Sequence, residues 1–483
     1  MVKEFVEYKE LFIGGRWEIP TGQASIEVVS PATGEAIGRV PHATRDDVDK
    51  AVAMAREAFD VGPWPRLPLE ERLAVIERFA SALQQRIQQL ASVISRENGS
   101  PITWSLASQA GAPALVCGLA VETARAYPFE HRRPGLRSDV IVRYEPVGVV
   151  AAVVPWNVPA FVSINKLAFA LAAGCTVVLK PSPETPLDAY ILAEIADEVG
   201  LPEGVLSVLP ADREVSEYLV AHKGIDKVSF TGSVGAGKRI MEVAAANLTR
   251  VTLELGGKSA AIILEDADLD HAVSTIGRAS WALNNGQACV ALTRVLAPRS
   301  LYDEIARRLT DAANALVVGD PADPATQVGP LVSARQQQRV LDYIRIGCEE
   351  GATLLAGGGI PEDLERGCYV SPTLFGDVDN SMRIAQEEIF GPVVCLIPYE
   401  DDADALRIAN ESEYGLSGAV FTADTERGIE VARHVRTGTI TVNGFSTEPT
   451  APFGGYKNSG IGRELGDEGL RSYLEAKTIA IAG

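Results

Sequence analysis

The sequence predicts an α/β protein: a Rossmann-like, doubly wound parallel sheet in the first half, a second α/β domain after it, and a small β element set apart from both. Three observations carry this. Between Val147 and Glu254, apolar runs of strand length alternate with helical stretches, the order that gives a parallel sheet with helices on both faces. After Ala260 the alternation begins again. Two further segments, Val140–Tyr144 and Lys477–Ala482, alternate apolar and polar residues like exposed strands, and each needs a partner because a bare edge invites aggregation.

The chain has 483 residues, room for roughly three domains of about 150 residues, and 46% of it is apolar, ample for large cores. Its net charge of -20 disfavours nucleic acid and anionic membrane surfaces. The first ten residues carry charges where a signal peptide needs an apolar core, and no run of about 18 apolar residues is read elsewhere, so no membrane contact and a cytoplasmic location are expected. Six cysteines without metal-ligand spacing predict reduced thiols and no metal site.

In order, residues 11–40 read as short extended segments with a turn at Thr21-Gly22, followed by helices over Asp46–Phe59 and Glu70–Asn98, the second stopped by Gly99-Ser100-Pro101. The parallel sheet follows: strands Val147–Val154, Cys175–Lys180, Val205–Leu209, Asp226–Phe230 and Arg250–Glu254, with helices Pro159–Ala173 and Pro186–Val199 closed by Gly174 and Gly200. A helical stretch Leu269–Leu283 precedes the second alternation. That alternation reads as strand Val290–Leu296, helices Leu301–Leu316 and Ser333–Glu350, strand Val393–Pro398, helix Ala403–Asn410, strand Ala419–Phe421, a helix ending at Arg436, and strand Thr439–Val442.

Ligands of such sheets bind beyond the carboxyl ends of the strands. The residues there are Pro155-Trp156-Asn157, Lys180-Pro181-Ser182-Pro183-Glu184 and Phe230-Thr231-Gly232-Ser233. No GxGxxG fingerprint occurs. Gly232 to Arg239 matches a phosphate-binding P-loop until its last position, where Arg239 cannot hold magnesium as Ser or Thr would; this leaves phosphate contact plausible and nucleotide hydrolysis a weak alternative.

The stretch from Val251 to Val290 holds the chemistry. Glu254 ends a strand before Gly256-Gly257, a pair expected to leave space for water or substrate, and Cys289 sits in a glycine-containing loop after small and amide residues. A free cysteine is usually a small buried hydrophobe, but its loop position departs from that. None of the five histidines lies in a catalytic-looking motif, so a carboxylate whose pKa burial has raised is the candidate base.

Glu254-Leu255-Gly256-Gly257-Lys258 followed by Gly286-Gln287-Ala288-Cys289 resembles the paired signature of the aldehyde dehydrogenase superfamily. Gln386-Glu387-Glu388-Ile389-Phe390-Gly391-Pro392 and the glycine-rich Ala451–Glu464 stretch resemble two further motifs in the right order, so the likeness spans nearly the whole chain. It implies a cofactor domain over 1–124 and 146–255, a catalytic domain over 256–464, and an oligomerisation element from 125–145 and 465–483 in a homodimer or homotetramer.

By the same resemblance, Cys289 attacks an aldehyde, Asn157 and the Cys289 backbone N–H steady the oxyanion, and Glu254 activates water, with Lys166 and Glu464 relaying protons near it. The cofactor is expected to be NAD, with NADP not excluded, held by Pro155, Trp156, Lys180, Ser182, Gly232, Ser233, Leu255, Glu388 and Phe390. Pro183 stands where many NAD-preferring relatives carry glutamate, with Glu184 one step later; the lean to NAD rests on no arginine standing nearby. Val158, Val162, Asn165, Ala288, Val290, Phe445 and Phe453 are the expected tunnel residues, suited to medium aliphatic or aromatic aldehydes. A non-enzymatic structural role, the remaining alternative, is disfavoured because cysteine, glutamate and asparagine are all present.

Overall fold

The computed structural model describes residues 5–136 and 138–481. The parts of the sequence readings that fall on Met1–Glu4, Arg137, Ala482 and Gly483 lie outside the described residues. Two large sheets dominate. In the first, Arg250–Glu254, Lys227–Thr231, Val149–Val153, Thr176–Lys180 and Leu206–Val208 run parallel in that order. Antiparallel strands close both sides: Gly460–Ile461 beside Arg250–Glu254, and Leu11–Ile13 with Arg16–Glu18 beside Leu206–Val208. From Val149–Val153 the chain winds outward through the two strands on one side, then returns to pair Lys227–Thr231 on the other. The order therefore reverses between Val149–Val153 and Lys227–Thr231, and a crevice opens there.

The alternation of side chains explains why the central strand Val149–Val153 is apolar throughout and its neighbours are apolar on at least one face. Val150, Ala152, Val177 and Leu179 enter one core with helices Leu69–Gln85, Ala112–Ala126, Pro159–Ala173 and Leu187–Glu198. Val149, Ala151, Val178, Val228, Phe230 and Leu253 enter the other, beneath helices Arg45–Asp60, Arg213–Ala221 and Val234–Ala245. A parallel sheet covered on both faces has no solvent side to make polar.

Helix Pro159–Ala173 begins with proline, where no N–H is missed, and ends at Gly174 in the left-handed region (φ 99°). It is buried almost all round, so its one charged residue, Lys166, is out of place in packing terms. The second sheet, Thr353–Ala356, Thr373–Gly376, Val393–Tyr399, Leu292–Pro298, Ser259–Ile263, Gly418–Phe421 and Thr441–Val442 in that order, is parallel except for its first strand. Strands Val140–Pro146 and Leu474–Ala480 pair with each other, and Glu130–Arg133 joins Val140–Pro146.

Three readings are corrected. The helix expected over Glu70–Asn98 is two, Leu69–Gln85 and Ile87–Asn98, broken at Arg86, whose guanidinium leaves the helix line to bind Glu194 and Glu198. The helix expected to Leu283 ends at Ala279. Of the P-loop-like glycines, Gly232 lies in the turn, but Gly235 and Gly237 lie inside helix Val234–Ala245, and Gly237 lets Leu255 approach, a Cβ there lying 2.6 Å from it. Ile102–Ala126 is long and apolar enough on average to cross a membrane, but Ser105, Ser108, Gln109 and Glu122 interrupt it, and Val116, Cys117, Ala120, Val121 and Ala124 pack in the first core.

Candidate active site

After the helix that ends at Ala279, the chain enters a turn in which Asn284, Asn285 and Gly286 all adopt positive φ (50°, 60° and 73°). Asparagine tolerates this region better than most residues, yet two in succession are strained unless held. Both are held by their own amides. Asn285 donates to the carbonyls of Gly99 and Pro330 at 2.9 Å and accepts from the Gly329 N–H at 2.6 Å. Asn284 donates to the Asn157 carbonyl at 2.8 Å and accepts from the Ser100 hydroxyl at 2.5 Å. Gly286 has no substitute, since a Cβ there would lie 2.3 Å from the Gly391 backbone. The turn delivers Cys289, half-buried, to the wall of a cleft of about 740 Å3.

Asn157 is fixed from both ends. Its carbonyl also accepts from Asn98 at 3.0 Å and Gln109 at 3.3 Å, and its side-chain amide donates one proton to the Gln287 carbonyl at 2.9 Å. The second amide proton is left for a ligand, and Asn157 lines the same cleft as Cys289. Asn98, Ser100, Gln109 and Asn284 were not singled out from sequence. Gln109 reaches Ser100 at 2.6 Å from a wide turn, where the Ala110 N–H bonds the carbonyl five residues back. The sequence signal was the Asn284-Asn285-Gly286 run, which concentrates residues tolerant of positive φ.

Glu254 ends strand Arg250–Glu254, is 2% exposed, and neither carboxylate oxygen has a hydrogen-bond partner among the described residues. Burial first, and then the Glu464 carboxylate, hold its carboxyl well above the usual range against the opposing pull of Lys166 and Arg463. Gly454 opens onto it: a Cβ there would sit 2.6 Å from Glu254 Oε1. The room left by Gly256 and Gly257 is already taken, which corrects the expectation of space for water or substrate. A Cβ on Gly256 would lie 2.4 Å from Glu388 Oε2, and one on Gly257 2.1 Å from the Cys289 carbonyl.

Lys166 and Glu464 form a buried ion pair, and both bond Ser229, which also accepts from Tyr473. Lys166, Glu254 and Glu464 do not line the cleft; they lie behind it. Cys289 is pushed up to about 12 by burial and the facing Glu388 and Glu254 carboxylates, so it rests as a thiol. Attack requires a base, and Glu254 has the raised pKa that suits one.

Pro155, Trp156, Gly232, Ser233, Leu255, Glu388 and Phe390 all line the cleft, at the crevice where strand order reverses. Trp156 meets Phe390 edge-on at 5.3 Å. Glu388 accepts from the Gly257 N–H at 2.8 Å and is raised to about 7 by burial. Ser233 caps helix Val234–Ala245, accepting from the Ala236 N–H. Lys180 and Ser182 are buried at the end of the next strand and are not cleft-lining; Lys180 is lowered to about 8 by burial. Glu184 accepts from Ser182 at 2.5 Å and faces Arg335 at 3.5 Å. The expectation that no arginine stands near is therefore corrected: Arg335 comes from the far wall of the cleft, 151 residues along the chain.

The seven expected tunnel residues do not line this cleft. Val158, Val162, Ala288, Val290, Phe445 and Phe453 are half-buried, while Asn165 is buried with an unpartnered carbonyl oxygen. Val162 and Phe453 pack against the first core, Phe445 against the second sheet. No cluster of three or more metal-ligating side chains occurs among the described residues.

Residues 17–479 match the model of the aldehyde dehydrogenase family. A geranial dehydrogenase of Castellaniella defragrans is 46% identical over 99% of this chain and 100% of its own, and a 3-succinoylsemialdehyde-pyridine dehydrogenase of a Pseudomonas species is 45% identical over 98% of each. Among solved structures, a Mycobacterium tuberculosis aldehyde dehydrogenase complexed with NAD+ superposes with a TM-score of 0.97 at 50% identity, covering 99% of this chain and 98% of that one. A Pseudomonas syringae aldehyde dehydrogenase C mutant, complexed with NAD+ and octanal, has a TM-score of 0.95 at 41% identity, covering 98% and 96%.

Proposed function

The chain belongs to the aldehyde dehydrogenase family, and from that premise we propose that it oxidises an aldehyde to the carboxylic acid with NAD+, using Cys289 as nucleophile and Glu254 as base. The single observation that carries the reading is a thiol and an amide proton on the wall of one cleft, with an unpartnered raised carboxyl buried behind it. The cleft suits a dinucleotide on its own chemistry: it offers a capped helix N-terminus for a pyrophosphate, a carboxylate at Glu388 for ribose hydroxyls, and Gly256, where any side chain would strike Glu388.

When bound, NAD+ accepts a hydride. The protein's part is the rest. Glu254 takes the Cys289 thiol proton, and the sulfur adds to the carbonyl carbon. Asn157 Nδ2 and the Cys289 N–H donate to the oxygen as it becomes negative, and losing one such donor typically costs about 10² to 10³ in turnover. Loss of hydride from the tetrahedral adduct leaves a thioester on Cys289. Glu254 then takes a proton from water as the water attacks the thioester, the carbon–sulfur bond breaks, and the acid leaves. Lys166 and Glu464 pass the proton onward.

Medium aliphatic or aromatic aldehydes are the proposed substrates, supported by the apolar expected tunnel residues and by relatives named for geranial and bound to octanal. We assign 1–124 with 146–255 to cofactor binding, 256–464 to catalysis, and 125–145 with 465–483 to a homodimer or homotetramer contact. Exposed Ile479 on the outer strand and Ile481 just past its end support that contact. The test is reduced-nicotinamide formation with apolar aldehydes: wild type is expected to produce it and Cys289→Ala not.

A further inference from the structure

Behind the cleft, the Lys166–Glu464 ion pair is held from two sides by groups that the chemistry above does not use. On one side the chain itself is strained. Leu465, directly after Glu464, has φ 62° and ψ 164°, a conformation open to glycine and costly for any other residue. It is kept there by its side chain in the first core and by the Gly469 N–H, which bonds its carbonyl at 2.8 Å. Glu464 in turn exchanges backbone hydrogen bonds with Phe453 at 2.7 and 2.8 Å. On the other side stands Ser229, fully buried on strand Lys227–Thr231. A hydroxyl has one proton and two acceptor lone pairs. Lys166 Nζ and the Tyr473 hydroxyl each donate to Ser229 Oγ at 3.2 Å, which fills both lone pairs. The Ser229 proton is thereby turned onto Glu464 Oε1, at 3.3 Å. Tyr473 is itself fixed. Its carbonyl accepts from the Val147 N–H at 2.9 Å, and its ring lies 5.0 Å from the Lys227 ammonium, which also donates to Thr252 at 2.6 Å.

We propose that Ser229 and Tyr473 are positioning residues of the acid–base step: Tyr473 fixes the Ser229 hydroxyl, and Ser229 holds Glu464 against Lys166, where it receives the proton that Glu254 has taken. Neither residue lines the cleft, and Tyr473 acts through Ser229. The strain at Leu465 fits the same account, since backbone strain persists where the surroundings over-determine a position that function needs. The proposal rests on the reading of Glu254 as base with Lys166 and Glu464 beyond it. A Ser229 that did no more than satisfy the buried Tyr473 hydroxyl would leave the proton step untouched.

The test is steady-state kinetics of the full-length protein with NAD+ and octanal, in ordinary and heavy water. The proteins compared are wild type, Ser229→Ala, Ser229→Thr, Tyr473→Phe and Ser229→Ala/Tyr473→Phe, with NAD+ binding measured by calorimetry to show that each is folded. Ser229→Ala is expected to lower kcat about tenfold or more, with KM and NAD+ affinity within about twofold of wild type. Its solvent deuterium isotope effect on kcat is expected to rise, because the proton hand-off becomes limiting. Ser229→Thr, which keeps a hydroxyl, is expected to recover most of the rate. Tyr473→Phe is expected to show the pattern of Ser229→Ala more weakly, and the double variant to be no slower than Ser229→Ala, because one residue acts through the other.

A Ser229→Ala kcat within about twofold of wild type, or a slower kcat with an unchanged isotope effect, overturns this proposal and leaves the roles of Cys289 and Glu254 standing. Losses that multiply in the double variant overturn the part assigned to Tyr473. Wild type that forms no reduced nicotinamide with octanal or another apolar aldehyde overturns the underlying reading and this proposal with it.

Discussion

The two large sheets are built alike and bury charge differently. In the second, Arg294 lies on strand Leu292–Pro298 at 2% exposure, and all three of its guanidinium nitrogens donate: to the carbonyls of Lys258, Ile408 and Ala409 and to Asn380 Oδ1, at 2.9 to 3.0 Å. In the first, Glu254 is equally buried and has no partner for either oxygen. A satisfied buried charge holds structure together, whereas an unsatisfied one weakens the fold unless it does something else. The first sheet repeats the theme. Its register sets Lys227, Ser229 and Thr231 beside Arg250, Thr252 and Glu254, a polar ladder on one face, while Val228, Phe230 and Leu253 enter the core on the other.

That contrast is sharpest under mutation. Cys289→Ala is expected to reduce turnover to background with the melting temperature unchanged, because a half-buried side chain is shortened at the cleft wall and no hydrogen bond is lost. Arg294→Ala should do the reverse. It strands three buried carbonyls at about 1 to 3 kcal/mol each, so denaturant melts should show a loss of about 3 kcal/mol or more. Normal stability in Arg294→Ala would break the comparison.

Asn284→Ala lies between the two cases. It removes the clamp on the Asn157 carbonyl, and is expected to cost about 1 to 3 kcal/mol in denaturant melts and to lower kcat more than it raises KM. The pH dependence is subtler. Because Glu254 must be deprotonated to act and its carboxyl is held above 4.5, the rate is expected to rise with pH well above the usual carboxylate range.

Stability should respond in the opposite direction. Burial raises Asp188 to about 8 and also raises Glu97, so the folded state holds protons that the unfolded chain releases near pH 4. Their contribution is therefore fully present below about pH 4 and is lost as pH rises through about 8. The melting temperature should fall across that window, and fall less in Asp188→Asn.

The alternation of strands and helices was legible because each strand is apolar on at least one face and the helices are punctuated. Pro159 and Gly174, for instance, bound their helix at the residues expected. The residues at the strand ends were legible because such sheets bind ligands there. What escaped was non-local. Gln109 and Asn98 acquire their role only when the loop after Val153 packs against them, and Arg335 becomes a neighbour of Glu184 only when two sheets close on one cleft. The tunnel is the reverse case: its proposed residues came from likeness alone, and their burial resembles ordinary packing.

The most direct test of the account is a rapid-mixing experiment on Glu254→Gln with octanal and NAD+, followed by intact-protein mass spectrometry. Because Glu254 takes the thiol proton before attack as well as activating water, the account predicts no burst of reduced nicotinamide, residual turnover at least about 10² below wild type, and no acyl group accumulating on Cys289. Turnover at the wild-type rate, or a burst approaching one per active site with an acyl group on Cys289, would contradict it.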